Sequence, residues 1–250
     1  MFIDTHAHLT WGKIKNQTPQ ILENAQKNNV KKIITIGCNL KTSQESSQYA
    51  EQFDNVFFSA GVHPGEVSEN INWNSLEKIF SHPKCKAVGE CGFDFFYKDF
   101  NEELQEQCFI KQIKYSQKYQ LPLIIHSREA QTKTLEIIQK YQEIKFVVHC
   151  FSGDLNFAKK ILDLGGLLSF TGIITYPKTT EIQDTVKYLP LNKIMLETDC
   201  PYLAPQSVRG QVNEPQYIVE IAQKIADIKN INLTEVENQT TKNAELFFKI

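Results

Sequence analysis

The chain has 250 residues, 41% hydrophobic and 22% charged, with a formal net charge of -2 and a pI near 6.3. That balance excludes a broad basic surface able to hold duplex DNA by phosphate contacts alone, so any nucleic acid must be gripped locally. No charged segment followed by an apolar one opens the chain, no apolar stretch approaches about 18 residues, and the six cysteines have no CxxC spacing, which together predict an unexported, cytoplasmic protein without a membrane span.

The first apolar run, Phe2-Ile3-Asp4, leads into His6 and His8. Thr18-Pro19 then starts a helix with Pro in its first turn. A run at Ile33–Ile36 precedes a helical pattern after Lys41, and Val56–Ala60 leads into Gly-Val-His63-Pro before a helical pattern from Trp73. The run at Ala87-Val88 ends at Glu90, and Asn101 caps a helix reaching Tyr119. Leu123–Ile125 ends at His126, with a helix after Arg128, and Phe146–Val148 ends at His149. Asp154 opens a helix that Gly165-Gly166 stops. Leu167–Phe170 precedes a helix from Thr180, and Ile194–Leu196 runs through Glu197-Thr198 to Asp199. A helical pattern follows Glu214, and two short helices are expected from Thr234 to Phe248.

Strand and helix thus alternate eight times. Such alternation predicts parallel pairing through right-handed crossovers and closes most naturally into an α/β fold of the (β/α)8 TIM barrel type, one domain over residues 1–250. In that barrel the C-terminal strand ends form the site, and His6, His8, Glu90, His126, His149 and Asp199 all stand there. A hydrophobic core has no use for four imidazoles and two carboxylates, whereas a pair of divalent ions does.

Seven ordered stretches make the pattern specific: Phe2–Leu9, Gly61–Pro64, Val88–Asp94, Leu121–Arg128, His149–Gly153, Glu197–Pro205 and Arg209–Pro215. Over nearly its whole length the chain resembles the TatD family of metal-dependent deoxyribonucleases, within the amidohydrolase-like superfamily. Its departures, Cys91, Phe93 and Phe96, alter packing and leave the ligand-type residues intact. The resemblance implies that His6, His8, Glu90 and Asp199 hold one metal ion and Glu90, His126 and His149 a second. Glu90 is the expected bridge, because a carboxylate offers two oxygens where an imidazole offers one nitrogen. Two divalent metals (Mg, Mn or Zn, which ligand type alone does not separate) spaced roughly 3.5–4 Å apart would activate water and offset charge on a phosphodiester. Asp199 is then placed to accept the water's proton.

His63, Arg128 and Arg209 are candidate substrate contacts, the two arginines through forked phosphate bonds. Asn213 reads as a helix cap and His82 as a surface residue. Cys91, Cys150 and Cys200 each follow a candidate ligand, so strand alternation turns them away from it. Phe95, Phe96 and Tyr97 offer rings for an unpaired base. The expected substrate is single-stranded DNA or another phosphodiester, cut from an end, with no obligate protein partner. Three rivals share the centre: an amidohydrolase or esterase acting on a small carbonyl compound, an aminoacyl-tRNA deacylase, and a non-catalytic metal-dependent nucleic-acid-binding protein.

Overall fold

The computed structural model describes residues 1–12, 14–141 and 143–250. Every apolar run is a strand: β1 (Phe2–Ala7), β2 (Val30–Ile36), β3 (Val56–Ala60), β4 (Cys85–Asp94), β5 (Leu123–Arg128), β6 (Phe146–Val148), β7 (Leu167–Phe170) and β8 (Ile194–Leu196). They pair in parallel in sequence order. An isolated parallel bridge between Ala7 and Cys200 joins the two edges, where His8 N–H donates to Cys200 O at 2.8 Å and Asp199 N–H to His6 O at 2.9 Å. The result is a (β/α)8 TIM barrel.

Around it lie α1 (Thr18–Lys27), α2 (Leu40–Gln52), α3 (Trp73–Ile79), α4 (Glu102–Tyr119), α5 (Gln131–Ile138), α6 (Leu155–Asp163), α7 (Thr180–Tyr188), α8 (Ile218–Lys229) and α9 (Leu233–Phe248). Local chemistry sets their starts. Asn101 Oδ1 accepts from Leu104 N–H at 3.0 Å and Asp154 Oδ1 from Phe157 N–H at 2.7 Å, satisfying amides that a helix start otherwise leaves free. The helix expected after Glu214 begins at Ile218, behind a 3-10 turn over Pro215–Tyr217.

The chain end differs from expectation: α9 is one continuous helix rather than two short ones. Asn232 caps it through Glu235 N–H at 2.8 Å, no Gly or Pro interrupts it, and the apolar residues of its C-terminal turns share one target. Ala244, Phe247 and Phe248 pack with Ile3, Ile34, Ile36, Ala87, Ile124, Val147 and Met195, the residues filling the barrel lumen. The helix thereby plugs the end opposite the candidate site, and each buried Phe contributes about 1.5–3 kcal/mol.

Two irregularities aim side chains at the open end. Between β1 and β2 the register moves from Asp4↔Ile33 to Ala7↔Thr35, and between β4 and β5 from Val88↔Leu123 to Cys91↔Ile125. Each inserts an extra residue, which re-aims neighbouring side chains, and the inserted stretches carry His6 and Glu90. Strands β4 and β5 also continue past Glu90 and His126 instead of ending there. Their close approach requires Gly92, at φ +131°, where a Cβ would lie 2.1 Å from His126 O.

Candidate metal centre

Seven side chains meet at the C-terminal strand ends: His6 from β1, His8 just beyond it, His63 beyond β3, Glu90 from β4, His126 from β5, His149 beyond β6 and Asp199 beyond β8. Glu90 is at their centre. Its Oε2 lies 3.4 Å from His6 Nε2 and 3.9 Å from His8 Nε2. Its Oε1 lies 2.7 Å from His126 Nδ1, 2.6 Å from His149 Nε2 and 3.6 Å from His63 Nε2. Asp199 Oδ1 stands 3.1 Å from His8 Nε2 and 3.6 Å from His6 Nε2. The carboxylate thus faces one donor group with each oxygen.

This donor set fits metal ions. His6 and His8 turn Nε2 toward Nε2 at 3.3 Å, and His126 Nδ1 faces His149 Nε2 at 3.1 Å. Two nitrogens facing each other can share only one proton, whereas two nitrogens bound to one tetrahedral ion at about 2.0–2.1 Å sit about 3.3 Å apart. His6, His8 and Glu90 form one compact group and His63, Glu90 and His126 another.

Charge within the cluster follows burial and neighbours. Burial pushes the Glu90 carboxyl up, but His149 and His63 and hydrogen bonds from His126 and His149 outweigh it and hold the group well below the usual carboxylate range. Asp199 is likewise raised by burial and brought below its ordinary value by His8. Burial lowers His6 and takes His63 down to about 4. Burial would lower His126 and His149 too, yet Asp94 and Glu90 raise the first and Glu90 and Glu197 raise the second well above the ordinary imidazole value. A metal binds ionised carboxylates and neutral imidazoles, so an ion here would displace the protons that the carboxylates favour on His126 and His149.

Several residues that the sequence pattern did not single out hold this cluster. Asp94 Oδ2 faces His126 Nε2 at 3.0 Å while its Oδ1 accepts from Phe96 N–H at 3.0 Å. Gln105 of α4 pins the Asp94 backbone in both directions, at 3.0 and 3.1 Å. Two turns on along the same face of α4, Gln112 grips Val62 in the same way at 2.8 and 3.0 Å and so fixes the approach to His63. Glu197 Oε1 lies 3.6 Å from His149 Nδ1 and accepts from Cys150 N–H at 2.5 Å, while Oε2 accepts from Ser169 Oγ at 2.6 Å. Asp4 is fully buried and takes the amide and hydroxyl of Thr198 at 3.0 and 2.5 Å, tying β1 to the segment that carries Asp199.

Three expectations are corrected. Asn213 is no helix cap: its Nδ2 donates to Thr198 O at 2.8 Å and Tyr202 O at 2.6 Å, bracing the loop after β8. His82 is more than a surface residue, since its Nδ1 accepts from Lys84 N–H at 3.1 Å and its ring meets Phe58 edge-on at 5.2 Å. Cys150 lines the cavity, because φ +46° at this residue ends the extended backbone on which alternation depends. Cys38, which the sequence pattern did not single out, is buried and lies inside the cluster with Sγ 3.7 Å from His8 Nδ1 and 3.8 Å from Glu90 Oε2. Burial, then Glu90, raises its thiol well above the ordinary value.

The cluster floors a cavity of about 620 Å³ whose walls include Trp11, Tyr97, Ser127, Arg128, Ser152 and Tyr202. The Arg128 guanidinium lies 3.6 Å over the Phe96 ring. Arg209 lies outside the lining, exposed and 4.3 Å over Tyr176. His63 Nδ1 accepts from Gly65 N–H at 2.9 Å, so its single proton is on Nε2, the atom facing the cluster.

Comparison with known proteins agrees with this geometry. The family model described as TatD related DNase matches residues 3–249. A Bacillus subtilis protein described as an uncharacterized metal-dependent hydrolase is 30% identical over 100% of both chains. One of the same description from Escherichia coli K12 is 31% identical, over 99% of this chain and 96% of its own. Among solved structures, a TatD homolog from Escherichia coli K12 superposes with a TM-score of 0.95 at 28% identity, covering 100% of this chain and 98% of that one.

Proposed function

Because this chain belongs to the TatD related DNase family, we propose that it is a metal-dependent hydrolase that removes nucleotides from the ends of single-stranded DNA at a centre for two divalent ions. The observation that carries the reading is Glu90, each of whose oxygens faces a separate donor group. His6, His8, Glu90 and Asp199 would hold one ion and Glu90, His126 and His149 the other. The ions, Mg, Mn or Zn, would supply charge to offset the developing anion and acidify the attacking water.

The protein's own groups do the rest. Asp199, kept ionised by His8, accepts the water's proton at a carboxylate oxygen. The neutral His63 donates from Nε2 to a non-bridging phosphate oxygen. Arg128 is in no ion pair among the described residues, and its stack on Phe96 leaves the guanidinium edges free for a forked contact with phosphate. Arg209, outside the cavity, meets a phosphate farther along the strand. The unit is the whole chain, 1–250. Its described cysteines are free, which suits the reducing cytoplasm, and no described helix is long and apolar enough to cross a membrane.

The test is hydrolysis by the metal-loaded protein of end-labelled single-stranded oligodeoxynucleotides, alongside panels of amides, lactones and aminoacyl esters. Stepwise shortening of the oligonucleotide is expected. Turnover confined to the carbonyl panel would move the chain to an amidohydrolase or deacylase, and binding of DNA without cleavage would make it a binding protein.

A further inference from the structure

We infer that Trp11 and Tyr202 form a nucleobase subsite, a corner of two aromatic rings that takes the unpaired base of the strand's terminal nucleotide. The inference rests on the nuclease reading and adds to it the group that distinguishes a nucleotide from any other phosphate ester.

Both rings line the cavity. They stand perpendicular, with centroids 6.1 Å apart, so one presents a face where the other presents an edge. Trp11 stacks on His8 at 4.9 Å, and Tyr202 meets His8 edge-on at 6.3 Å. The corner is therefore built against a candidate ligand, and a nucleotide whose phosphate meets the cluster has its base within reach of these rings. Tyr202 is 49% exposed, although large exposed apolar side chains are few in the described residues. An aromatic ring left open to water beside a reactive cluster is a surface awaiting a partner.

Charge on the cavity wall selects which partner. Arg128 is the only lysine or arginine among the described lining residues, while Glu66, Glu90, Asp94 and Asp199 are all acidic. Among the described wall residues a polyanion thus finds one side-chain cation, Arg128, against four carboxylates. Stacking supplies affinity without charge, and every base has a π-face to offer. A duplex end does not fit this arrangement, because its terminal base is already paired and stacked.

The chain's two tryptophans are Trp11 and Trp73, so Trp73→Phe leaves Trp11 as the sole indole reporter. The experiment titrates this protein with a short deoxyoligonucleotide and with a base-free abasic oligomer of equal length and charge, reading Trp11 fluorescence and affinity, and repeats the affinities in Tyr202→Ala and Trp11→Leu. The base-bearing strand is expected to quench Trp11 and to bind roughly 5- to 150-fold tighter than the abasic one, the range that stacking of one base contributes. That preference should shrink toward unity in both variants, since ring and base are partners in one interaction. Equal affinity for the two oligomers, a preference that survives in both variants, or no binding of either would overturn the subsite. Base-dependent binding without phosphodiester hydrolysis would instead remove the nuclease reading and leave the subsite standing.

Discussion

Replacing Asp94 by Asn tests whether the candidate centre has two separable halves. Asn has one side-chain oxygen where Asp94 has two, so it can accept from Phe96 N–H, 3.0 Å from Oδ1, or from His126 Nε2, 3.0 Å from Oδ2, but not from both, while Gln105 holds the backbone at this position independently of the side chain. The anionic acceptor behind His126 is lost. A carboxylate that accepts the second ring N–H of a metal-binding imidazole raises its basicity and fixes its tautomer, and losing one weakens metal binding by about 10–100-fold, or about 1.4–2.7 kcal/mol. Because Asp94 touches His126 and none of His6, His8 or Asp199 in this structure, the loss should fall on one ion alone. Titration of chelator-stripped protein with Mn or Zn against a competing indicator should show two classes of site, of which Asp94→Asn weakens one. His126→Ala should abolish that same class and His8→Ala the other. Equal weakening of both classes by Asp94→Asn, or a stoichiometry of one ion in the fully active wild type, would refute the division around Glu90.

Further expectations follow from the same contacts. Asp199→Asn preserves a residue tolerant of the left-handed φ of +55° and should retain the fold and much of the metal while turnover falls by at least about 100-fold; near wild-type kcat at saturating metal would remove Asp199 as the base. Glu90→Gln leaves no net negative charge between the donor groups, so both classes of metal site should weaken together and excess metal should restore part of the rate, as read by metal titration beside activity. Phe247→Ala opens a cavity at the barrel end away from the site and should cost about 3–5 kcal/mol in denaturant unfolding, with kcat unchanged at a temperature where the variant is folded.

The fold was legible because its signal is redundant. Eight buried parallel strands read as eight apolar runs, and the helix starts at Asn101 and Asp154 carry their own capping side chains. The break expected near the chain end had no such marker, and the lumen's demand for Ala244, Phe247 and Phe248 keeps α9 in one piece. The six ligand-type residues were legible for a related reason: a strand running along a barrel delivers its C-terminal residue to one face whatever the surrounding sequence. Residues that act through others have no such rule. Glu197 precedes Asp199 by two positions and reads as part of the same strand end, yet it reaches back to His149 through the barrel floor. Asp94 reads as the close of a motif, while its partner His126 comes from a neighbouring strand. Cys38 stands just beyond β2, a strand that contributes no ligand-type residue, so nothing local marks its place beside His8 and Glu90.

Loops blur the picture further, since side-chain direction there depends on single dihedral angles. Cys150 and Cys200 each follow a candidate ligand, but only Cys150 faces the cavity, because its own φ of +46° turns the chain; at Asp199 the left-handed residue is the candidate ligand itself, and Cys200 after it is fully buried. Trp11 and Tyr202 lie in two loops that the sequence separates by most of its length, and they become neighbours only when β1 and β8 close the barrel through Ala7 and Cys200. The parts of the site that carry chemistry thus sit where strand geometry fixes them, while the parts that choose a substrate depend on barrel closure. Changes in the loops after β1 and β8 should therefore alter which substrate is taken without disturbing the groups around Glu90.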